Sequence, residues 1–267
     1  MNSLATALIT AALAAPGISM ADDHDPYRWL EEVEGPNALA WARGQNEVSL
    51  AELESQPVFE PIHERALEIL TSDDRIAYPA LRGGEIYNFW RDAEHVRGIW
   101  RKTSLDEYRG DEPDWDVILD IDALAAEEDE NWVWAGASCR YPGYDRCMVG
   151  LSVGGADAAV RREFDLETRE FVADGFYVPE SKSSIAWRDR DSVFYGPAFS
   201  DDEVTDSGYP RTVRLWKRGQ QPAEAELVFE GENSDVAVTG VRFWDGDDYY
   251  DMIVRVPDFF TRHYYRY

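Results

Sequence analysis

Basic residues are scarce in this chain. Among 267 residues there are 26 Lys+Arg against 53 Asp+Glu, a formal net charge of −27. Nucleic-acid binding needs clustered lysines and arginines that displace counterions from phosphates, so no nucleic-acid partner is expected, and no anionic membrane surface either. The acids are scattered rather than clustered. They read as a solubilising surface, suited to a salty environment, with attraction of cationic peptides as the alternative. Cysteine is almost absent: Cys139 and Cys147 stand alone, and two cysteines without nearby histidines do not make a zinc site. The four histidines, His24, His63, His95 and His263, are far apart, show no ligand spacing and read as surface or packing residues. A phosphate-cradling loop is missing too, since Gly83-Gly84 reads as a turn. No metal and no cofactor are therefore expected.

Long apolar runs are also lacking. Met1 to Ala21 carries no charged side chain, but its apolar stretch, Leu4 to Ala15, is too short to span a bilayer. Pro16-Gly17 follows, then Ser19-Met20-Ala21, an A-x-A-like cleavage site before Asp22-Asp23. Residues 1–21 read as a cleaved export signal, placing the protein in the periplasm or outside the cell. No Lys or Arg lies near Met1, a departure from the usual signal. The alternative is an apolar N-terminus on a cytoplasmic protein. No later segment has transmembrane length, so no membrane span is expected. In an exported protein the two cysteines could pair, because the turn-rich stretch between them, 140–146, would set them opposite each other in a hairpin. Otherwise they are two small core residues.

What the chain does have is apolar content of 44 % and aromatic content of 13 %, including 10 Trp. Aromatic and β-branched residues suit pleated, half-buried surfaces. Residues 22–75 nevertheless read as helical. Asn37 is placed to cap a run in which Leu39, Ala42, Val48 and Leu50 recur near helical spacing. Pro57 and Pro61 break that run. Pro61 then opens a second helix with Ile62, Ala66, Ile69 and Leu70 facing inward.

From residue 76 onward, short aromatic and β-branched runs alternate with Gly, Asp and Pro turns, as in a sandwich, a barrel or a propeller. A repeat favours the propeller. Trp-rich strands open units at Trp132–Trp134, Ile185–Trp187 and Val241–Trp244, roughly fifty residues apart, close to the length of a four-stranded blade. Closing strand pairs are predicted at Arg161–Leu166 with Glu170–Val172, and at Arg211–Trp216 with Glu226–Phe229. The expected fold is mainly β: about four blades of an incomplete β-propeller at 76–267, preceded by the short helical segment. The final run, Asp258 to Tyr267, is strand-like and has no polar capping segment. It reads as a truncated gene or a partial sequence, because an unpaired edge invites aggregation.

Asp25-Pro26-Tyr27-Arg28-Trp29-Leu30-Glu31-Glu32, followed by Trp41 and Gln45-Asn46, resembles the N-terminal signature of prolyl oligopeptidases. Leu151 to Asp157 with Arg162 to Leu166 resembles second-blade sequence in that family. Ser207-Gly208-Tyr209-Pro210-Arg211 with Trp216 to Gly219 resembles a third-blade segment, and Asp258-Phe259-Phe260-Thr261 a later one. The resemblance implies a seven-bladed propeller capping an α/β-hydrolase domain that is built from the N-terminal helical segment and a C-terminal portion. It implies a serine endopeptidase for short peptides, cut after proline, with its Ser, Asp and His all in that C-terminal portion. No position here matches those motifs, so no catalytic residue is carried over and the chain by itself is expected to be inactive. The rival reading is a non-enzymatic exported propeller that binds peptides or proteins.

One string competes for the nucleophile. Gly150-Leu151-Ser152-Val153-Gly154 fits G-x-S-x-G, which in a hydrolase places serine on a sharp strand-to-helix turn. Here a second strand, not a long helix, is predicted after Gly154-Gly155, so Ser152 reads as part of a hairpin. The acidic pairs Glu127-Glu128 and Asp247-Asp248 read as solvated turns. The recurring tryptophans read as core.

Overall fold

A computed structural model of the chain describes residues 25–32, 34–72 and 74–267. The export segment expected at 1–21, and His24, lie outside them. The chain forms two compact units, one ending at Leu67 and the other running from Glu68 to Tyr267. No helix among the described residues is long and apolar enough to cross a membrane.

The first unit is helical. A 3-10 turn at Arg28–Glu31 is followed by α1 (Pro36–Glu54) and α2 (Phe59–Leu70), whose last residues fall in the second unit. Trp29 and Trp41 meet edge to face with ring centroids 6.4 Å apart, and the Trp29 indole donates to the Pro26 carbonyl at 2.9 Å. Three expectations need correction. Asn37 does not cap α1: Gly35 holds the N-cap position and Pro36 opens the helix, where a missing N–H costs no hydrogen bond. Nor does α2 open at Pro61; it begins at Phe59, with the proline still in the first turn. The side chains expected to face inward, Ile62, Ala66, Ile69 and Leu70, are all exposed, Leu70 at 68 %. Apolar periodicity marks the face that seeks a partner; it does not supply one.

The second unit is a four-bladed, propeller-like arrangement of antiparallel sheets. Blade 1 comprises β1 (Ala80–Arg82), β2 (Glu85–Trp90), β3 (Ile99–Ser104) and β4 (Asp116–Asp120). Blade 2 comprises β5 (Trp132–Cys139), β6 (Arg146–Val153), β7 (Ala159–Asp165), β8 (Glu170–Phe171) and β9 (Tyr177–Ser181). Blade 3 comprises β10 (Ser184–Trp187), β11 (Ser192–Gly196), β12 (Thr212–Lys217) and β13 (Glu226–Glu230). Blade 4 has three strands, β14 (Ala237–Asp245), β15 (Asp248–Val256) and β16 (His263–Arg266). Blades open at Ala80, Trp132, Ser184 and Ala237, so the repeat of about fifty residues is real and extends back to the first blade.

Blade 2 departs from the simple scheme. Both β8 and β9 pair with β7, sharing the outer position. The chain parts around Glu163, whose carbonyl accepts from the Val172 N–H while its own N–H donates to the Phe176 carbonyl. Two short helices, α3 (Leu105–Tyr108) and α4 (Ile121–Glu128), were not legible among the strands. In α4 the Asp120 carboxylate accepts from the Ala123 N–H at 3.0 Å, and Ala, Leu and Glu favour the helix that follows. Glu127-Glu128 thus ends a helix rather than lying in a turn.

Three apolar clusters lie at the seams between blades. Trp100, Trp132, Val149, Leu151 and Phe164 pack between blades 1 and 2 with Ile121 and Leu124 of α4. Met148, Phe176, Trp187, Val193 and Trp216 fill the next seam. Phe194, Val213, Val238 and Ile253 fill the third. Those tryptophans are core, each stabilising the fold by roughly 1.5–3 kcal/mol, the range for a buried large apolar side chain. Trp187 adds a polar link, donating from its indole to the Ser138 carbonyl of the preceding blade at 2.9 Å.

Cys139 and Cys147 stand directly opposite each other on β5 and β6 and form a disulfide. This decides between the two readings left open by their spacing. Closing a loop of this length restricts the unfolded chain, so reduction with dithiothreitol should lower unfolding stability by about 2.5 kcal/mol. Denaturant titrations of the oxidised and reduced protein would measure it; coincident midpoints would mean the bridge contributes nothing.

Candidate functional site

Ser152 lies inside β6, paired with Val133 of β5, and only 3 % of it is exposed. After Val153 the chain turns at Gly154 and Gly155, with φ of +64° and +86°, and returns as β7. No helix follows, so the sharp strand-to-helix turn that exposes a nucleophile is not built here. Both glycines of the string have structural causes. Gly154 sits where the backbone is left-handed, a conformation that favours glycine. Gly150 is the cross-strand partner of Arg161. A Cβ on Gly150 would lie 2.0 Å from an Arg161 guanidinium nitrogen and 3.1 Å from the Ala135 carbonyl oxygen. Glycine at 150 leaves room for that guanidinium.

The histidines do not converge. His63 stacks on Phe59, His95 bonds to Asp92 at 3.0 Å, and His263 is exposed on β16. Among the described residues no group of His, Cys, Asp and Glu is arranged to hold a metal ion.

Charged groups instead concentrate between blades. Glu163 on β7 is completely buried. Its carboxylate takes two hydrogen bonds from Arg218 of blade 3, at 2.9 and 3.0 Å, and one from the Phe176 N–H at 2.9 Å. Arg146 stands 3.6 Å from the same carboxylate. Asp251 on β15 is held by Arg242 at 2.6 and 2.7 Å and by Arg188 of blade 3 at 2.9 Å. Asp116 of β4 pairs with Arg169, which follows β7. Consecutive blades are thus tied by guanidinium–carboxylate pairs, the geometry in which arginine bonds most strongly.

Arg161 is one of the arginines that stand outside these pairs. Between blades 2 and 3 is an open cavity of about 540 Å³, lined by the bulged backbone of β5 at Ala135 and Gly136, by Arg161, and by Lys182, Asp157 and Tyr209. Tyr209 donates to Asp157 at 3.3 Å. Lys182 lies 3.7 Å from the same carboxylate and 5.1 Å from the Tyr209 ring. Burial pushes the Arg161 guanidinium below its ordinary pKa. Two segments read as blade signatures, Leu151–Asp157 and Ser207–Arg211, therefore meet at one cavity. Arg161 and Lys182 were not singled out from the sequence. The signal lies in the pairing of Gly150 with Arg161, and register is not visible in a single strand.

The geometry defines a propeller-like β protein, and comparison with known proteins narrows the class. Residues 19–256 match the family model described as prolyl oligopeptidase, N-terminal beta-propeller domain. The uncharacterized peptidase y4nA of Sinorhizobium fredii is 40 % identical over 96 % of this chain and 36 % of its own length. The uncharacterized peptidase RP174 of Rickettsia prowazekii is 31 % identical over 83 % of this chain and 33 % of its own. A solved post-proline cleaving enzyme from Rickettsia typhi superposes with a TM-score of 0.77 at 26 % identity, covering 90 % of this chain and 38 % of that one. The chain belongs to the prolyl oligopeptidase family and corresponds to its N-terminal propeller region. It spans about a third of the length of the curated relatives it matches.

Proposed function

We propose that this chain is the access-controlling part of an exported, prolyl oligopeptidase-like serine endopeptidase that cleaves short peptides after proline. The observation that carries the proposal is the match of 19–256 to the family's propeller region. In this reading residues 76–267 form the propeller, which limits substrates to short peptides. Residues 22–75 belong with an α/β-hydrolase domain. The exposed apolar side chains of α2, such as Ile62, Ile69 and Leu70, support that second assignment, because surface helices seldom leave such a stripe open to water. The hydrolase part would supply an activated serine, its histidine and aspartate, and the donors that hold the oxyanion.

The chain alone should not hydrolyse a fluorogenic peptide with proline before the scissile bond. Extending it with the C-terminal two-thirds of the Sinorhizobium relative should confer post-proline cleavage that Ser152→Ala leaves intact. Hydrolysis by the chain alone, abolished by Ser152→Ala, would overturn the assignment. A well-folded but inactive extended chain would favour the stand-alone binding propeller.

A further inference from the structure

Many arginines of this propeller have carboxylates close by. Arg146, Arg162, Arg169, Arg188, Arg218 and Arg242 each hold at least one. In a chain with twice as many acids as bases that is the expected outcome. Arg161 is not paired in this way; Arg82, Arg101 and Arg214 share that feature, but Arg82 and Arg101 lie over aromatic rings, whereas Arg161 opens on a cavity. Among the described residues no carboxylate lies within ion-pair distance of it. Its hydrogen bond is a long one, 3.5 Å, to the Ala135 carbonyl. A guanidinium carries five N–H donors in a planar fork, so most of its capacity is unspent.

Its surroundings are shaped for a ligand. Glycine at 150 lets the guanidinium lie against β6, and the 540 Å³ cavity in front of it is within the size range of small-molecule and peptide-end sites. The acid that lines the cavity, Asp157, is already engaged by Tyr209 and faced by Lys182. With two cations and one anion, the wall carries net positive charge on a chain of −27. At physiological salt the remaining acids are screened beyond about 8 Å, so the local cations decide what approaches. A partly desolvated guanidinium without a counter-ion gains more from a carboxylate than an exposed one does, and its fork matches that ligand with two parallel bonds.

We propose that the cavity between blades 2 and 3 is a peptide-carboxylate site, in which the Arg161 guanidinium receives the carboxylate and Lys182 supports it. Only the identity of the ligand rests on the peptidase reading, since the cation-lined cavity exists without it. The geometry would let the propeller hold one end of a peptide.

The test is calorimetric titration of the 267-residue chain with three probes: N-acetylated penta-alanine with a free C-terminal carboxyl, its C-terminal amide, and that amide with one glutamate inside. The free acid should bind about tenfold or more tightly than the plain amide, the value expected of a hydrogen bond to a charged group. Arg161→Met should remove the difference, and Arg161→Lys, which keeps the charge but not the fork, should restore part of it. Gly150→Ala, which pushes the guanidinium aside while leaving it in the protein, should weaken acid binding as well. Thermal melts verify that each variant folds. Binding of the glutamate peptide as tightly as the free acid would support the site and assign the carboxylate to an internal side chain. Equal binding of acid and plain amide, absence of binding, or binding indifferent to Arg161→Met would overturn the proposal. None of these results depends on peptide hydrolysis, so the proposal can fail while the peptidase assignment stands.

Discussion

Arg218→Met should destabilise the protein by about 3 kcal/mol, measured by denaturant unfolding of the purified chain. The carboxylate of Glu163 is completely buried and Arg218 supplies two of its hydrogen bonds. Removing one partner of a buried pair leaves the other charge desolvated, which costs about 3–5 kcal/mol. The low end applies because Arg146 remains 3.6 Å away and the Phe176 N–H still donates. Arg218 is also 29 % exposed, so water can replace part of what is lost. The cycle with Glu163→Gln gives the sign of the argument. Glutamine keeps the shape of the side chain without its charge, so the double variant should recover much of the loss. If the two substitutions simply add, the pair is not coupled and the tie between blades 2 and 3 lies elsewhere.

Gly240→Ala should cost about 3 kcal/mol or more by the same measurement. Gly240 lies on β14, facing the buried ring of Phe194 across the seam between blades 3 and 4. An added Cβ would stand 2.5 Å from Cγ and 2.6 Å from Cβ of Phe194. The Cβ is fixed to the backbone of β11, so the clash cannot be relieved by turning a flexible side chain. Overpacking of a filled core usually costs about 1–3 kcal/mol, and relief here requires moving a strand. Gly44 supplies the contrast. It lies within α1 and nothing stands within 4 Å of an added Cβ. Gly44→Ala should stabilise by up to about 1 kcal/mol, because alanine favours a helix interior where glycine does not. Equal effects at the two positions would mean that steric contact does not distinguish them.

Much of the fold was legible in the residues. The strand runs at Glu85–Trp90, Thr212–Lys217 and Glu226–Glu230 are dense in aromatic and β-branched side chains, and Gly83-Gly84 and Gly154-Gly155 turn the chain where expected, all four with positive φ. The outer half-strand β9 was missed because the chain leaves the ladder around Glu163 and returns, and its Tyr-Val-Pro-Glu-Ser sequence contains a proline that argues against a strand. The helix α4 was missed because eight residues give too little periodicity to stand out among strands. The exposed face of α2 shows the converse: the apolar stripe is written in the sequence, and its partner is not.

By itself the sequence determined the local features: alternation along strands, glycines at left-handed turns, the Trp-marked blade repeat and the family signature around Trp29 and Trp41. These depend on neighbours a few residues apart and on the covalent geometry of each residue. Only the tertiary structure decided which charges meet. Glu163 and Arg218 are 55 positions apart, and the cavity gathers Asp157, Arg161, Lys182 and Tyr209 from two blades. Gly150 admits the Arg161 guanidinium because register sets the two residues opposite each other. A slip of one residue would send every side chain of the strand to the other face. Register and blade packing come from the summed burial of the seams, and no single segment contains that sum.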